Sequence, residues 1–301
     1  MRRRAAVLLA ALALDAAFGE LPNRWHPVAR FGQAANWLER RMTDHGRRDT
    51  AAAGIGFTLV AAGAAAAAGA GLQRQVRGGG LAGFAAEAFA LKQALALRAL
   101  IEHADAVRRA LERSDLAGAR EAAGRMVSRN TGELPATLVA SAAIESVAEN
   151  LSDGVVAPAA WYLAGGLAGA YAYRAVNTLD AMVGYRSRGR FGMVPARLDD
   201  ALNLAPARLT AAVLLALRPA ALRRAGEVAR DARSTASPNA GWPMAAMACA
   251  LGTRLEKRGH HVLNGAGREP GAQDIARAAG LAAAAAAVLA AGAAAALRGR
   301  R

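Results

Sequence analysis

Cysteine is almost absent from this chain: Cys249 is the only one in 301 residues. A disulfide within the chain is therefore excluded, as is any cysteine-built metal cluster. A lone cysteine of this kind reads as a small buried apolar side chain. Lysine is nearly as scarce. Lys92 and Lys257 are the only lysines among 38 basic residues, against 23 acids, so the net charge of +15 is an arginine charge. Zinc-finger spacing, basic zipper helices and aromatic-basic interleaving are all missing, so nucleic acid is not an expected partner. No GxxxxGK[ST] follows Gly78-Gly79-Gly80 or any other glycine run. Any use of ATP thus lies outside the P-loop class. Two membrane-enzyme patterns also fail. Asp153-Gly154 opens a DGxxAR match, but Pro158 stands where arginine is needed, and Asn177-Thr178-Leu179-Asp180 is not NDxxD. Strand patterns and internal repeats are lacking too.

What is present is alanine and long apolar runs. Hydrophobic residues make up 54%, above the roughly 45–50% of ordinary soluble chains. Mean hydropathy is +0.15. Alanine carries much of both figures, and it is also the best helix former, so individual segments must decide. Ala51–Leu72 is uncharged and bounded by Arg48, Asp49 and Arg74, long enough to cross a bilayer. Ala278–Leu297 is similar and closes on Arg298–Arg301. Ala157–Tyr173 is slightly short, with Trp161, Tyr162, Tyr171 and Tyr173 near its ends, where aromatics favour the membrane interface. Leu209–Leu217 and Ala240–Leu251 are weaker candidates. Arg2–Arg4 before Ala5–Leu14 has the look of a signal peptide's basic and apolar regions, or of charge anchoring a membrane segment.

The expected fold is all-α: a multi-pass membrane helical bundle with about four or five spans, forming a single membrane-embedded domain over residues 1–301. Residues 73–135 read as a water-facing helical hairpin inserted between spans, on the cytoplasmic side. In it Leu97, Leu100, Ile101, Ala104 and Val107 share one helical face. Ser114-Asp115 marks the start of a second helix near Leu116.

The polar residues concentrate where apolar segments end. In ESVAENLSDGVVAP, Glu145 and Glu149 are four apart and Asp153 follows four later. A helix puts such residues in one row, where like charges repel unless a cation or arginine sits among them. Asn150 adjoins the row, and the helix is expected to stop at Gly154, with Pro158 opening the next span. Arg174, Asn177 and Asp180 lie three apart, followed by a turn over Tyr185–Arg190 and then Arg197, Asp199, Asp200, Asn203 and Arg208. A third cluster, RDARSTASPNAGWP, holds Arg230, Asp231, Arg233, Asn239 and Trp242 around a tight turn. Ionisable groups beside a bilayer mark functional sites by default. Carboxylates suit Mg²⁺, and arginine's planar fork suits phosphate. His26, between Trp25 and Pro27, is an isolated candidate, and His260-His261 is weaker still.

These blocks resemble the signature blocks of the adenosylcobinamide-phosphate synthase family, CobD/CbiB, of cobalamin biosynthesis. ESVAENLSDGVVAP, AVNTLDAMVGYR, ARLDDALNLAPARLT and RDARSTASPNAGWP occur in order, after an opening LDAAFGELPNRWHPVARFG with Asp15, Gly19, Pro22, His26 and Pro27 in place. The similarity runs from about Ala13 to Trp242, and it puts Asp15 and Gly19 in a retained block rather than in a leader. It weakens in EKRGHHVLNGAGREPGAQDI, and Glu20-Leu21-Pro22 departs from the commoner Asp-Pro. The resemblance implies an integral protein of the bacterial cytoplasmic membrane. Its reaction would be ATP- and Mg²⁺-dependent amide ligation of (R)-1-amino-2-propanol phosphate, or free aminopropanol, to the f-side-chain carboxylate of adenosylcobyric acid.

On this reading Glu145, Glu149 and Asp153 are the catalytic candidates. Glu149, Asp153, Asp180, Asp199 and Asp200 are the metal candidates. Asn150, Asn177, Arg197, Arg230, Arg233, Asn239 and His26 are the substrate-binding candidates. The bilayer is a partner, and a homo-oligomer or a complex with other corrinoid-pathway enzymes is an open one. The competing reading is a transporter or non-catalytic membrane partner of the corrinoid pathway. A transporter needs polar groups lining a path at mid-membrane, whereas these clusters fall at the ends of spans.

Overall fold

A computed structural model describes residues 2–43, 50–185 and 189–298. Arg48 and Asp49 at the start of one expected span, residues 186–188 of the expected turn, and Arg300 and Arg301 at the end of the last span lie outside the described residues. Thirteen α-helices and one two-stranded hairpin are found among the described residues. The all-α expectation holds, apart from that hairpin, in a stretch where no strand was expected.

Among the described residues, three helical stretches are long and apolar enough to cross a membrane: Ala51–Arg77, Ala136–Val183 and Ala272–Ala295. The chain divides into two compact units. One comprises residues 1–96, 157–203 and 290–301, and the other residues 97–156 and 204–289. The stretch 73–135 is thereby shared between them.

In the first unit, α1 (Arg2–Phe18), α2 (Pro27–Thr43), α3 (Ala51–Arg77) and α4 (Gly80–Lys92) gather on α8 (Ala157–Val183). Helix α3 begins where Thr50 Oγ1 accepts the Ala53 N–H at 3.2 Å, satisfying an amide the helix leaves open. It ends with Arg74 and Arg77 in the last turn, where positive charge suits the helix dipole. Phe57 and Phe191, ring centres 5.1 Å apart, anchor a core with Ala35, Ala61, Leu179 and Val183. A Cβ on Gly69 would stand 2.6 Å from Leu167 O. Only glycine allows α3 and α8 to approach so closely.

Helix α8 is not the continuous span expected over Ala157–Tyr173. Gly166 has φ 68° and ψ −155°, a region open essentially to glycine alone, and the α-helical hydrogen bonding breaks there. The freed groups find side chains. Arg4 Nη1 donates to Leu163 O at 2.9 Å and Ala164 O at 2.7 Å. The Leu167 N–H donates to Gln73 Oε1 at 3.3 Å. Gln73 Nε2 in turn donates to Glu87 at 2.6 Å, and Glu87 also accepts from Tyr162 OH at 2.8 Å and Arg3 Nε at 3.1 Å. Arg3 and Arg4, read from sequence as flanking charge, thus hold the interior of the first unit together.

In the second unit, α5 (Leu97–Glu112) buries Leu97, Leu100, Ala104 and Val107 as the helical spacing predicts. Asp115 caps α6 (Leu116–Gly124), its Oδ1 accepting the Gly118 N–H at 2.8 Å. Both helices pack on α7 (Ala136–Leu151), as does α12 (Gly241–Leu251). Helix α7 does not stop at Gly154. It runs into a π-helical turn, Ser152–Val156, and on into α8. Pro158 has no N–H to continue the α pattern and its ring crowds the preceding turn; the wider turn absorbs both effects.

Replacing Gly166 with Ala should lower stability in detergent by about 2 kcal/mol or more, because the backbone there excludes a Cβ and that atom would sit 2.3 Å from Gln73 Oε1. Gly165→Ala, where nothing lies within 4 Å of the new Cβ, is the control. Equal melting temperatures for the two variants would refute the role given to the break.

Candidate active site

The expected site residues divide between the two units, and each group has its own geometry. In the second unit the centre is Glu145, 5% exposed on α7. One carboxylate oxygen accepts from Arg129 Nη2 at 2.8 Å, and the other lies 3.1 Å from His261 Nε2. Only 7% of the His261 side chain is exposed. Neither Arg129 nor His261 is among the catalytic, metal or substrate-binding candidates that the sequence offers.

The local fold explains how His261 arrives. Strands β1 (Leu255–Lys257) and β2 (His261–Leu263) form a hairpin pairing Lys257 with His261. The hairpin is fastened to α7 by Ser141, whose Oγ accepts the Glu256 N–H at 2.7 Å and donates to Glu256 O at 3.3 Å. Ser141 and Glu145 are one helical turn apart, so docking at the first brings His261 to the second. The carboxylate fixes the ring's orientation. Arginine on the opposite oxygen compensates a charge that burial alone would make costly.

Along the same helix, Asn150 Nδ2 donates to Ser146 O at 3.0 Å and Ser146 Oγ donates to Met126 O at 2.9 Å. Glu149 and Asp153 are half-buried, the latter on the π turn. The third sequence cluster folds around α11 (Ala225–Ala232), where Arg230 and Arg233 are exposed. Asn239 Oδ1 accepts from Arg208 Nη1 at 3.0 Å, and the Arg208 guanidinium lies 5.0 Å from the centre of the Trp242 ring, a cation–π arrangement. Asp231 Oδ2 accepts the Asn264 N–H at 2.7 Å, which ties the hairpin's exit to α11.

In the first unit, Asp199 on α9 (Gly189–Ala216) is the hub. Asn177 Nδ2 donates to Asp199 Oδ1 at 3.3 Å and Asn203 Nδ2 to Asp199 Oδ2 at 3.0 Å. Tyr173 OH extends the chain to Asn203 Oδ1 at 2.9 Å, and Arg174 reaches Asn177 Oδ1 at 3.4 Å. Burial pushes the Asp199 carboxyl above the ordinary range; the two amides oppose this and the neighbouring Asp200 charge reinforces it. Asp180 and Asp200 are half-buried nearby in sequence, and Arg197 is exposed. His26 is buried, and desolvation lowers its pKa, with Glu20 opposing and Lys92 and Arg174 reinforcing the shift. Among the described residues, no three His, Cys, Asp or Glu side chains gather closely enough to hold a metal ion by themselves.

Fold and charge pattern together define a helical membrane protein with buried carboxylates held by arginine and amide donors. The family model described as CobD/Cbib protein matches residues 8–291. The chain belongs to the CobD/CbiB family. It is 42% identical over 272 residues to the cobalamin biosynthesis protein CobD of Brucella melitensis biotype 1, covering 83% of this chain and 80% of that relative. The same-named protein of Rhodobacter capsulatus is 45% identical over 193 residues, covering 61% and 62% of the two chains. That of Dehalococcoides mccartyi is 38% identical over 265 residues, 85% of each. No solved structure matches.

Two outcomes follow from this geometry. Glu145→Ala leaves the Arg129 charge buried without its partner, so stability should fall by about 3–5 kcal/mol; the exposed Glu121→Ala in the Arg125 pair should change it little. Thermal melts in one detergent compare them. Second, a carboxyl with a raised folded pKa is protonated more readily in the fold than in the unfolded chain. Its contribution is fully present below the unfolded pKa and is lost as pH rises through the folded value. Wild-type stability relative to Asp199→Asn should therefore improve as pH falls from neutral toward the ordinary carboxylate range. A difference that stays flat over that window would refute the assignment.

Proposed function

We propose that the protein is an adenosylcobinamide-phosphate synthase acting in cobalamin biosynthesis at the bacterial cytoplasmic membrane. The observation that carries this reading is the family match across residues 8–291, which takes in the polar blocks from Asp15 to Trp242. The substrates are adenosylcobyric acid, ATP and aminopropanol phosphate or the free amine. The segment 73–135 faces the cytoplasm on this reading, and association with other corrinoid-pathway enzymes is consistent with it.

A carboxylate does not condense with an amine unaided, because its oxygen is a poor leaving group. ATP supplies the activation: the corrin carboxylate oxygen bonds to the γ-phosphorus and ADP leaves. The amine nitrogen then attacks the acyl carbon, the carbon–oxygen bond breaks, phosphate departs, and the nitrogen gives up a proton. The protein's tasks are to hold three substrates together, stabilise phosphate charge and receive that proton.

The residues suit those tasks. Glu145, fixed between Arg129 and His261, forms with that histidine a pair able to accept a proton. Mg²⁺ commonly takes only one or two protein carboxylates, with substrate phosphates and water completing its shell. Half-buried Glu149 and Asp153 supply such oxygens, with Asp180 and Asp200 as a second pair; when bound, the cation neutralises phosphate charge. Asp199 is engaged by two amides and is better placed to fix Asn177 and Asn203 than to hold metal. Exposed Arg197, Arg230 and Arg233 have the fork geometry for phosphate oxygens. Asn150, Asn177 and Asn239 orient substrate directly or through the partners they already hold.

The test is an assay of the purified protein with adenosylcobyric acid, ATP and Mg²⁺, supplying each amine separately. Amide product with ADP release is expected, and Glu149→Gln should lower turnover by about a hundredfold or more at equal protein level, the scale of a lost general base or charge clamp. Absence of product with both amines, together with corrinoid uptake into vesicles, would favour a transporter instead.

A further inference from the structure

A cavity of about 230 Å³ opens in the second unit where the chain leaves α9, between the short helix α10 (Pro219–Leu222) and the end of α12. Pro219, Ala221, Ala250 and Cys249 make its apolar wall, and Arg218 and Arg224 bring charge to it. Both arginines fall in the gap between two of the polar blocks, one ending at Thr210 and the other beginning at Arg230. The ligation chemistry assigns them no task.

The two arginines are held differently. Arg224 donates to Glu227 Oε2 from Nε at 3.1 Å and from Nη2 at 2.6 Å, and Nη2 also donates to Asn264 Oδ1 at 2.9 Å. Asn264 is 5% exposed and is itself fixed, its Nδ2 donating to Thr253 O at 2.9 Å. The Arg224 guanidinium is therefore set in place, with Nη1 meeting no acceptor among the described residues. Arg218 is exposed, and its guanidinium has no carboxylate or carbonyl partner among the described residues. From 218 to 227 the chain carries Arg218, Arg223 and Arg224 against Glu227 alone, so positive charge is left over at the cavity. A single solvated arginine would mean little. A second one, already oriented on the same concave wall, reduces the ordering that an anion must impose on binding.

We propose that this cavity is a phosphate-binding site. The phosphate oxygens accept from the Arg218 guanidinium and from Nη1 of Arg224, and the carbons next to the phosphate lie against Pro219, Ala221 and Ala250. Guanidinium forks match phosphate geometry. A carboxylate would be satisfied by one fork, whereas the third oxygen and second charge of a phosphate use both arginines. The volume lies below the roughly 300–1,000 Å³ of ordinary ligand pockets, which suits a phosphate with a short chain inside. Two sources offer that chemistry. The apolar stretch Leu209–Leu217 runs directly into Arg218, and Leu222 beside it is 52% exposed, so a phospholipid headgroup is one. A small soluble phosphate is the other. The site stands independently of the amide-ligation reading.

The cavity carries its own reporter, because Cys249 in its wall is the only cysteine in the chain. The test is the rate at which iodoacetamide, a small neutral reagent, alkylates the detergent-purified full chain at constant ionic strength. Inorganic phosphate, glycerol 3-phosphate and acetate are added in turn, and micelles are doped with phosphatidylglycerol in a separate series. A phosphate that occupies the site should slow alkylation saturably, by about tenfold at ten times its dissociation constant. Slowing by the soluble phosphates identifies a small anion as the ligand, and slowing by phosphatidylglycerol alone identifies a lipid headgroup. Acetate should leave the rate unchanged; equal slowing by acetate would reduce the effect to general charge screening and overturn the site. Arg218→Gln should weaken phosphate by about tenfold or more, the weight of a hydrogen bond between charged groups, without changing the rate measured in its absence. Arg218→Lys, which keeps the charge but loses the fork, should fall between the two. Titration calorimetry with the same phosphates gives a second readout should Cys249 resist alkylation in the folded protein. No slowing and no heat with any of them, or equal binding by wild type and Arg218→Gln, would refute the proposal.

Discussion

The interruption of α8 at Gly166 is the constraint on which the first unit depends. A helix in an apolar surrounding must satisfy every backbone amide and carbonyl within the protein. Breaking one liberates carbonyls on one side and amides on the other. Arg4 takes the carbonyls of Leu163 and Ala164, and Gln73 takes the amide of Leu167. Those two side chains come from α1 and α3, so a single backbone defect fixes the placement of three helices. Glu87 then satisfies Gln73, Arg3 and Tyr162, adding α4. Each member of this network answers a need created by another, and an apolar substitution at any one would leave a neighbour unmet.

The same logic accounts for the arginine excess. Each unit buries a glutamate against an arginine: Glu87 with Arg3, and Glu145 with Arg129. Guanidinium is more weakly hydrated than ammonium and offers several donors in a plane, so it serves these partly dry sites better. Lys92, one of only two lysines, is also turned inward, its ammonium on Gly19 O. Part of the positive charge is therefore structural, with Arg3 and Arg129 on buried glutamates and Lys92 on a backbone carbonyl.

The amphipathic α5, the Asp115 cap and the uncharged α3 were legible because their signals are local: periodicity, a capping residue, length. The charged blocks were legible as a site for the same reason, with Glu145 and Glu149 one turn apart and Asn177 three residues from Arg174. What escaped was long-range. His261 lies 116 residues from Glu145, and nothing in its own loop marks it; only the Ser141–Glu256 fastening explains the meeting. Arg129 looked like one more charge in a basic chain. Gln73 sits at the end of an apolar run, and its role appears only once α8 is known to break. Gly165-Gly166 was the one available signal of that break, since adjacent glycines weaken a helix.

The row of Glu145, Glu149 and Asp153 shows how such local reasoning needs the fold to complete it. On an unbroken α-helix those three charges would stack and repel. The structure separates them by chemistry and by backbone. Glu145 is neutralised in place by Arg129 and lies against His261. Asp153 is carried on a π turn, where the wider winding shifts it out of the α-helical register. Glu149 remains between them, half-buried at the last turn of α7. The repulsion that made the row conspicuous in sequence is relieved by one ion pair and one irregular turn. The irregularity is enforced from downstream, because Pro158 cannot donate into a regular helix. One proline thus sets the spacing of the carboxylates ahead of it, and the sequence ESVAENLSDGVVAP behaves as a single unit from its first glutamate to its last residue.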